Sequence, residues 1–242
     1  MSDLNRLANE IEKAKSITIL TGAGVSTASG IPDFRSTNGL WTLGKSREYY
    51  MSRDYFYQDP EDFWEKYKDI FRLKLVKDYL PNQVHMYLRG LELQGKLVSV
   101  VTQNVDGLHS QAGNEHVIEY HGSLNTASCP ACGTNYSLTY VMEEQVPRCN
   151  QKGCGDILKP DIVLFGDPIT KHHDAEAAID QAELVLVLGT SLLVTPFNLL
   201  PQYAANQGIR LGIINRESTP MDELFDYVIQ QDLIEVIHHI NK

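Results

Sequence analysis

The four cysteines of the chain fall into two close pairs, a spacing typical of metal sites. Cys129 and Cys132 form the first pair, and Cys149 and Cys154 form the second, after a gap of 16 residues. Two turns that each present two thiolates can hold one tetrahedral Zn²⁺. No histidine lies between the first and last cysteine, so the ligands would all be thiolates and the metal structural. The pairs predict one zinc ion, with disulfides as the weaker alternative.

A second group of reactive side chains follows the apolar residues 97–101. Gln103, Asn104 and Asp106 come directly after this run, and His121 stands at the end of another short apolar run. In a doubly wound sheet, residues just past the carboxyl ends of the strands line the ligand crevice. A neutral imidazole suits general base catalysis near pH 7. Two structural alternatives stay open, namely an Asx turn at Asn104 and Asp106 and a purely structural histidine.

An apolar run from Ile17 to Leu20 leads into a turn that contains Gly22 and Gly24. Glycines at this point let backbone N–H groups approach a pyrophosphate. The fit to the G-x-G-x-x-G fingerprint is incomplete, because its third glycine is Thr27 here and no acidic residue follows at the usual distance. An ordinary dinucleotide-dependent dehydrogenase is therefore a poor match.

The surrounding elements must bring these residues to one edge of a sheet. Leu7 and Ile11 mark an amphipathic N-terminal helix, Asp59 caps a second helix, and Asn82 caps a third that Gly95 ends. Short apolar strands alternate with helices, which predicts an α/β fold with a parallel sheet. The predicted strands are 17–20, 97–101, 117–120, one within 157–167, 184–188, 209–214 and 227–229. Later helices are predicted over 171–182, from Pro196 onward and through 233–237.

Two stretches interrupt this alternation. Residues 37–79 are aromatic and charged, and we interpret their aromatic side chains as the core of a small helical subdomain rather than as ligand contacts. Residues 123–156 contain the cysteine pairs.

Composition limits the kind of protein further. The chain has 242 residues, and its net charge of −10 argues against a nucleic-acid-binding surface, which needs an excess of Lys and Arg. No segment has the roughly 20 apolar residues that span a bilayer. The N-terminus reads as a packed helix rather than a signal peptide. We expect a cytoplasmic, monomeric protein without nucleic-acid or membrane partners.

The run GAGVSTASGIPDFRS, from Gly22 to Ser36, resembles the first signature of the sirtuins, the NAD-dependent protein deacylases, in their bacterial form. Later segments resemble further sirtuin signatures in the expected order. They are TQNVDGLH at 102–109, HG at 121–122, the cysteine pairs, PDIVLFGD at 160–167, GTSLLVTP at 189–196 and INRE at 214–217.

The resemblance implies one catalytic domain over residues 1–242, with a Rossmann-like large part and a small part. It also implies that NAD and an acyl-lysine peptide enter the cleft between the two parts. The expected boundaries are 1–36, 80–122 and 157–242 for the Rossmann-like part, 37–79 for the helical module and 123–156 for the zinc ribbon module.

The resemblance assigns a set of residues to NAD. Phosphates and the nearby ribose would contact Ala23, Thr27 and Arg35, and the nicotinamide ribose would contact Gln103. The nicotinamide amide would enter a pocket of Asn104, Val105 and Asp106. The adenosine half would meet Thr190, Ser191, Asn215 and backbone groups near Asp232, and the remaining cofactor contacts implied are Gly22, Gly24, Asp33, Phe34, His121, Gly189, Arg216 and Glu217.

The resemblance also implies the chemistry. His121 would be the general base on a ribose hydroxyl, with Asn104 as the second catalytic residue. Phe34 would shield the cation left by nicotinamide and, with Val163 and Phe165, wall the tunnel for the lysine methylenes. The backbone near Gly166 would add the substrate peptide as a strand. The reaction implied is NAD-dependent deacetylation of protein lysine, with release of nicotinamide and O-acetyl-ADP-ribose.

Two departures from the family pattern bear on specificity. Four residues rather than two separate Cys149 from Cys154, and Asp167 stands where Glu is commoner. Relatives that prefer acidic acyl groups carry Tyr-x-x-Arg, whereas here Tyr67 is followed by Ile70. We therefore expect neutral acyl groups, chiefly acetyl. The alternatives are a mono-ADP-ribosyltransferase, a long-chain or acidic deacylase, and a catalytically silent NAD-binding module.

Overall fold

The computed structural model describes residues 2–32, 47–71 and 78–241. Strands within these ranges form two separate sheets. In chain order the strands are β1 (Ser16–Thr21), β2 (Leu97–Thr102), β3 (Val117–Glu119), β4 (Gly122–Ser128), β5 (Asn135–Ser137), β6 (Lys159–Ile162), β7 (Leu184–Leu188), β8 (Arg210–Asn215) and β9 (Tyr227–Gln230).

Helices cover both sheets. Those that the described ranges contain are α1 (Asp3–Lys13), α2 (Arg47–Tyr50), α3 (Arg53–Gln58), α4 (Pro60–Ile70), α5 (Gln83–Leu93), α6 (Leu108–Gln111), α7 (Leu138–Glu143), α8 (His172–Asp180), α9 (Leu199–Asn206) and α10 (Leu233–Ile240). Within the same ranges, no helix combines the length and the apolar character needed to cross a membrane.

The predicted helix caps are confirmed. The Asp59 side chain accepts a hydrogen bond from the Asp62 backbone N–H at the start of α4, where Pro60 occupies the first turn. Asn82 caps α5, and Gly95 follows that helix with a left-handed φ of 87°. Caps of this kind satisfy N–H groups that have no partner within the helix.

The larger sheet confirms the predicted parallel α/β architecture. Its six strands lie in the order β3-β2-β1-β7-β8-β9, and every neighbouring pair is parallel. The chain reverses its direction of winding at β1, which lies between β2 and β7. In such a sheet a ligand crevice forms beyond the carboxyl ends of the strands at the point of reversal.

Both faces of this sheet are covered, as the unbroken apolar strands require. Alternate side chains of each strand enter two different cores, so that Ile19 packs with α1, α5 and α10, whereas Leu20 packs with α8 and α9. All five residues of β7 are buried. The sheet is therefore a rigid support for the loops at its carboxyl edge.

The smaller sheet has the strand order β5-β4-β6 and is antiparallel. It carries the cysteines and packs against α3 and α4. One core cluster contains Phe63 and Trp64 of α4 together with Cys129, Cys149 and Leu158. The Trp64 indole N–H also donates a hydrogen bond to the Leu158 carbonyl, at 2.7 Å. The helical segment and the cysteine-bearing segment thus share one hydrophobic core, which agrees with a packing role for the aromatic residues.

Two expectations need correction. The strand predicted within 157–167 was assigned to the Rossmann-like part, but β6 pairs with β4 in the smaller sheet. A proline at position 160 is compatible with such a short strand in a small sheet. The helix predicted from Pro196 begins only at Leu199, because residues 195–198 form a turn. The three-part division of the chain stays a proposal.

Candidate active site

A cleft of about 620 Å³ lies at the carboxyl edge of the larger sheet. It is bounded by the loops that follow β1, β2, β3, β7 and β8 and by the loop after β6. Most of the predicted site residues that the structure describes line it. They are Gly22, Ala23, Gly24, Thr27, Gln103, Asn104, Val105, His121, Val163, Phe165, Gly166, Gly189, Thr190, Ser191, Asn215, Arg216, Glu217 and Asp232.

The glycine turn after β1 has a packing reason that the sequence did not reveal. A Cβ on Gly22 would lie 2.6 Å from the Thr190 Cβ, and a Cβ on Gly24 would lie 2.8 Å from the Gly189 Cα. Both glycines therefore let the turns after β1 and β7 touch. Thr27, where a third glycine was expected, donates its hydroxyl hydrogen to the Gly24 carbonyl at 2.9 Å. The turn is fixed before any ligand binds.

The loop after β2 is tied to the same turn through Asn104. The Asn104 side-chain amide donates to the Gly22 carbonyl at 3.0 Å and to the Ser26 hydroxyl oxygen at 3.1 Å. Ser26 in turn donates to the Asp106 carboxylate at 2.8 Å. Asn104 and Ser26 are both buried, so these bonds have little competition from water. The amide is held in one orientation at the wall of the cleft.

Asp106 is the described site residue that does not line the cleft. Its carboxylate accepts hydrogen bonds from Ser26 and from the Leu108 backbone N–H, at 3.0 Å for the latter. The second bond is that of an Asx turn, the structural alternative considered for this position. In this structure Asp106 positions the loop and Ser26. Its predicted contact with nicotinamide stays a prediction.

His121 lies between the loop after β2 and the start of β4. Its Nδ1 is 3.2 Å from the Gln103 carbonyl oxygen. A carbonyl only accepts hydrogen bonds, so the neutral ring carries its proton on Nδ1 and Nε2 is the nitrogen that can accept a proton. The ring lies beside Tyr120 and Phe197, with centroid distances of 5.3 and 6.5 Å. This is the tautomer that a general base needs.

The glycine after this histidine also has a packing reason. Gly122 has a φ of +75°, and a Cβ on it would lie 1.9 Å from the Asp161 carbonyl oxygen on β6. The structure shows that Gly122 leaves room for the backbone of the smaller sheet.

Two buried histidines pack against each other beneath this region, a pairing that no sequence pattern indicated. His85 and His109 have exposed fractions of 0% and 1%, and their ring centroids are 4.7 Å apart. Burial lowers the pKa of His85 to about 4, against the opposing effect of Asp106. Burial and the neighbouring His85 lower the pKa of His109 well below its usual range. Both rings are therefore neutral near pH 7.

The opposite end of the cleft is polar. Gln103 donates its side-chain amide to the Thr190 hydroxyl at 2.9 Å, which links the loops after β2 and β7. Arg216 is 2.6 Å from the Asp232 carboxylate and holds the pKa of that carboxyl below its usual range. Asp232 also caps α10. The predicted adenosine contacts thus lie together at the ends of β7 and β8.

The loop after β6 forms the side of the cleft that was predicted to bind the substrate. The Val163 N–H donates to the His121 carbonyl at 2.8 Å, which sets the distance between this loop and the histidine. The Phe165 N–H donates to the Met51 carbonyl, and the Phe165 carbonyl accepts from the Arg53 N–H. Phe165 is 43% exposed at the mouth of the cleft. Asp167 accepts from Lys159 and from the Leu164 N–H.

Three predicted residues cannot be placed. Asp33, Phe34 and Arg35 lie outside the described residues, and so does Trp41 of the aromatic stretch. The contacts proposed for them stay predictions.

Several lining residues were missed by sequence reasoning. They are apolar or come from turns that carry no chemical signature, and they include Met51, Phe71, Ile162, Leu164 and the segment 193–196. Ser26 was missed although it lies within the GAGVS run, because its role depends on a partner 80 residues away.

The four cysteines form the predicted metal site. Their sulfur atoms all lie within 4.8 Å of one another, and the Cys129–Cys154 and Cys132–Cys149 distances are both 3.5 Å. Sulfurs about 3.8 Å apart are what a tetrahedral zinc with Zn–S bonds of about 2.3 Å requires. None of the cysteines is in a disulfide. The donor set fits a closed, structural Zn²⁺ site.

Metal analysis of the purified protein is expected to find about one zinc per chain. Cys129→Ser is expected to unfold the cysteine-bearing part rather than to remove activity selectively, because a structural zinc supplies folding free energy to the elements it joins. Limited proteolysis would locate the new cleavage sites. Protein purified under reducing conditions with no bound metal would contradict the assignment and return disulfides to consideration.

The geometry defines a class: an α/β protein with a cleft at the carboxyl edge of its parallel sheet, a histidine in the wall of that cleft and a separate sheet beside a site of four cysteines. The chain belongs to the Sir2 family, whose model matches residues 22–196. It is 45% identical over 244 residues to NAD-dependent protein deacetylase 2 of Geobacillus kaustophilus (strain HTA426), covering 100% of this chain and 98% of that protein.

Two further relatives agree. The NAD-dependent protein deacetylase of Bacillus subtilis (strain 168) is 48% identical over 231 residues, covering 93% of this chain and 94% of that protein. A solved structure of a Sir2 variant with a deacetylated p53 peptide and 3′-O-acetyl ADP-ribose superposes with a TM-score of 0.88, at 32% identity, covering 99% of this chain and 97% of that one. The predicted sirtuin membership is confirmed.

Proposed function

We propose that this chain is an NAD-dependent protein-lysine deacetylase that releases nicotinamide and O-acetyl-ADP-ribose. The observation that carries the proposal is His121, whose Nδ1 is bound to the Gln103 carbonyl and whose ring lines the cleft beside Asn104. Relatives that match over nearly the whole chain bear the same activity in their names. A silent NAD-binding module would not need a histidine held as a base.

NAD, when bound, supplies an ADP-ribosyl group whose bond to nicotinamide is broken as the acyl oxygen of the substrate attacks. The residues of this chain orient the reacting groups within the cleft. The buried Asn104 amide, fixed by Gly22 and Ser26, presents a rigid polar wall near the histidine. Gln103 binds both His121 and Thr190, so the loop after β2 sets the spacing between the two ends of the cleft.

His121 moves the proton in this proposal. Its Nε2 would accept the proton of a ribose hydroxyl, and the freed oxygen would attack the acyl carbon. One water molecule would then supply an oxygen to that carbon, the bond from the carbon to the lysine nitrogen would break, and the lysine would leave as its amine while the acetyl group stays on ADP-ribose. The Gln103 carbonyl accepts the Nδ1 hydrogen bond and stabilises the cationic ring that results. The same bond keeps the proton on Nδ1 and holds the ring in one orientation, so that Nε2 stays available as the acceptor.

Neutral acyl groups, chiefly acetyl, are the proposed substrates. Tyr67 and Ile70, at the position of the Tyr-x-x-Arg pair in acid-preferring relatives, are both buried in the core. Tyr50 and Arg53 have the Tyr-x-x-Arg spacing but lie earlier in the chain, and Arg53 does not line the cleft and lies 3.7 Å from Asp54. The described wall near the substrate loop is apolar, with Met51 and Phe71. Among the residues that the structure describes, this wall offers no cation to a negatively charged acyl group.

The proposed partners are acyl-lysine proteins or peptides that lie along the backbone near Gly166, where Phe165 is exposed. Strand addition of this kind gives affinity with little demand on sequence. Cysteines that serve as zinc ligands are suited to a reducing compartment, which supports a cytoplasmic location.

Incubation of the protein with NAD and matched acetyl, succinyl and longer acyl peptides tests the proposal. Mass spectrometry is expected to show deacetylated peptide together with acetylated ADP-ribose in equal amounts. Omission of NAD serves as the control, because it removes the acceptor of the acyl group. ADP-ribose attached to the peptide would instead identify an ADP-ribosyltransferase, and preference for succinyl peptide would contradict the assignment of neutral acyl groups.

A further inference from the structure

The zinc site has a neighbour that is not a ligand. Tyr136 lies on β5, between the two cysteine pairs, and its hydroxyl oxygen is 3.1 Å from the Cys149 sulfur. Cys149 is only 4% exposed, so water has little access to its sulfur. Four thiolates around one Zn²⁺ leave an excess of negative charge, which buried donors can stabilise. A hydroxyl at this distance is such a donor.

The tyrosine hydroxyl is held in place by Asn150. The Asn150 backbone N–H donates to the Tyr136 oxygen at 3.0 Å, and the Asn150 side-chain oxygen lies 3.0 Å from the same hydroxyl. The N–H occupies a lone pair, so the hydroxyl hydrogen points to one of two acceptors, the amide oxygen or the sulfur. A metal-bound thiolate is the charged acceptor of the two and therefore the stronger one.

Asn150 is the first of the four residues between Cys149 and Cys154. We propose that Tyr136 donates a hydrogen bond to the zinc-bound thiolate of Cys149, that the turn after Cys149 holds its hydroxyl, and that this contact slows the loss of zinc. Tyr136 is thus a positioning residue for the metal site. The proposal concerns metal retention and holds whether or not the reaction proposed above is correct.

A neighbouring tyrosine offers a matched comparison. The rings of Tyr136 and Tyr140 are 4.6 Å apart, and both residues belong to the cysteine-bearing segment. The Tyr140 hydroxyl donates to the Arg148 carbonyl at 2.8 Å rather than to a sulfur. Each Tyr→Phe change therefore removes one hydroxyl from the same part of the molecule. The Tyr136 hydroxyl contacts Cys149 and Asn150, whereas the Tyr140 hydroxyl bonds to the Arg148 carbonyl and not to a zinc ligand.

The test measures zinc release from the full zinc-loaded chain into a colorimetric chelator. Tyr136→Phe is expected to release zinc about tenfold faster than the parent protein, the lower end of the effect of removing an outer-shell partner. Tyr140→Phe is expected to stay within about twofold. Equal rates for Tyr136→Phe and the parent, or an equal acceleration in both variants, would overturn the proposal.

Cobalt substitution adds a readout that loss of packing alone would not move. The sulfur-to-cobalt charge-transfer band is expected to shift in Tyr136→Phe and to stay in place in Tyr140→Phe. Asn150→Ala keeps the backbone N–H and removes the competing acceptor, so its zinc release is expected to match the parent. Fast release in Asn150→Ala, with an unchanged cobalt band in Tyr136→Phe, would assign the effect to the loop and not to the hydroxyl.

Discussion

Replacing His121 with alanine is expected to lower kcat for deacetylation by about 10²–10⁴-fold, the usual contribution of a positioned general base. NAD binding is expected to persist, because the turns after β1 and β7 that form the polar end of the cleft are held by Asn104, Thr190 and their own backbone rather than by the imidazole. Steady-state kinetics with an acetyl-lysine peptide and calorimetric titration with NAD measure the two effects separately.

His173→Ala provides the matched control for this variant. His173 lies on α8 with its side chain 91% exposed, so its removal is expected to leave kcat unchanged. Turnover retained in His121→Ala would exclude the imidazole as the base. Loss of NAD affinity together with turnover would instead make His121 a binding residue.

Gly122→Ala is expected to destabilise the fold strongly, because its added Cβ would make a closer contact than a Cβ added at Gly22 or Gly24. The added Cβ would lie 1.9 Å from the Asp161 carbonyl, a backbone atom of β6 that cannot move without breaking the β4–β6 pairing. The residue also has a left-handed φ, which residues other than glycine rarely adopt. We expect a loss of more than about 4 kcal/mol in the free energy of unfolding, measured by denaturant titration.

Gly208→Ala is the control that separates the steric contact with Asp161 from the strain of a left-handed backbone conformation. Gly208 has a φ of +73°, close to that of Gly122, but no atom lies within 4 Å of its added Cβ. Its cost is expected to be only about 1–2 kcal/mol, from the left-handed conformation alone. A Gly122→Ala protein as stable as Gly208→Ala would show that the contact with Asp161 is unimportant.

The larger sheet was predictable because its strands are short, apolar and separated by helices. β7 consists of Leu and Val only, and both of its faces are buried. The helix start at Asp59 was predictable because capping depends on neighbours in sequence. Patterns of this local kind identify an element and indicate which end of it carries polar residues.

Features that the sequence did not predict depend on contacts between residues that are distant in the chain. β6 has the composition of a strand, but only its pairing with β4 decides which sheet it joins. Gly22 and Gly24 were predicted to let a phosphate approach, which stays a prediction, and the structure adds a packing reason, namely the turn after β7, which lies far away in sequence. The hydrogen bond from Ser26 to the Asp106 carboxylate likewise joins residues 80 positions apart, so no local pattern indicates it.

The hydrophobic core shared by the helical and cysteine-bearing segments connects the zinc site to the wall of the cleft. Met51, Ile162 and Leu164 line the cleft and belong to the same core cluster as Cys129 and Cys149. A zinc ion that stabilises this core therefore also stabilises the wall proposed to receive the acyl-lysine. Thermodynamic linkage makes such an effect reciprocal, so an acyl peptide bound at this wall would raise the affinity for zinc by the same factor by which zinc raises the affinity for the peptide. The metal is in this sense an effector of the substrate site, although it takes no part in the chemistry.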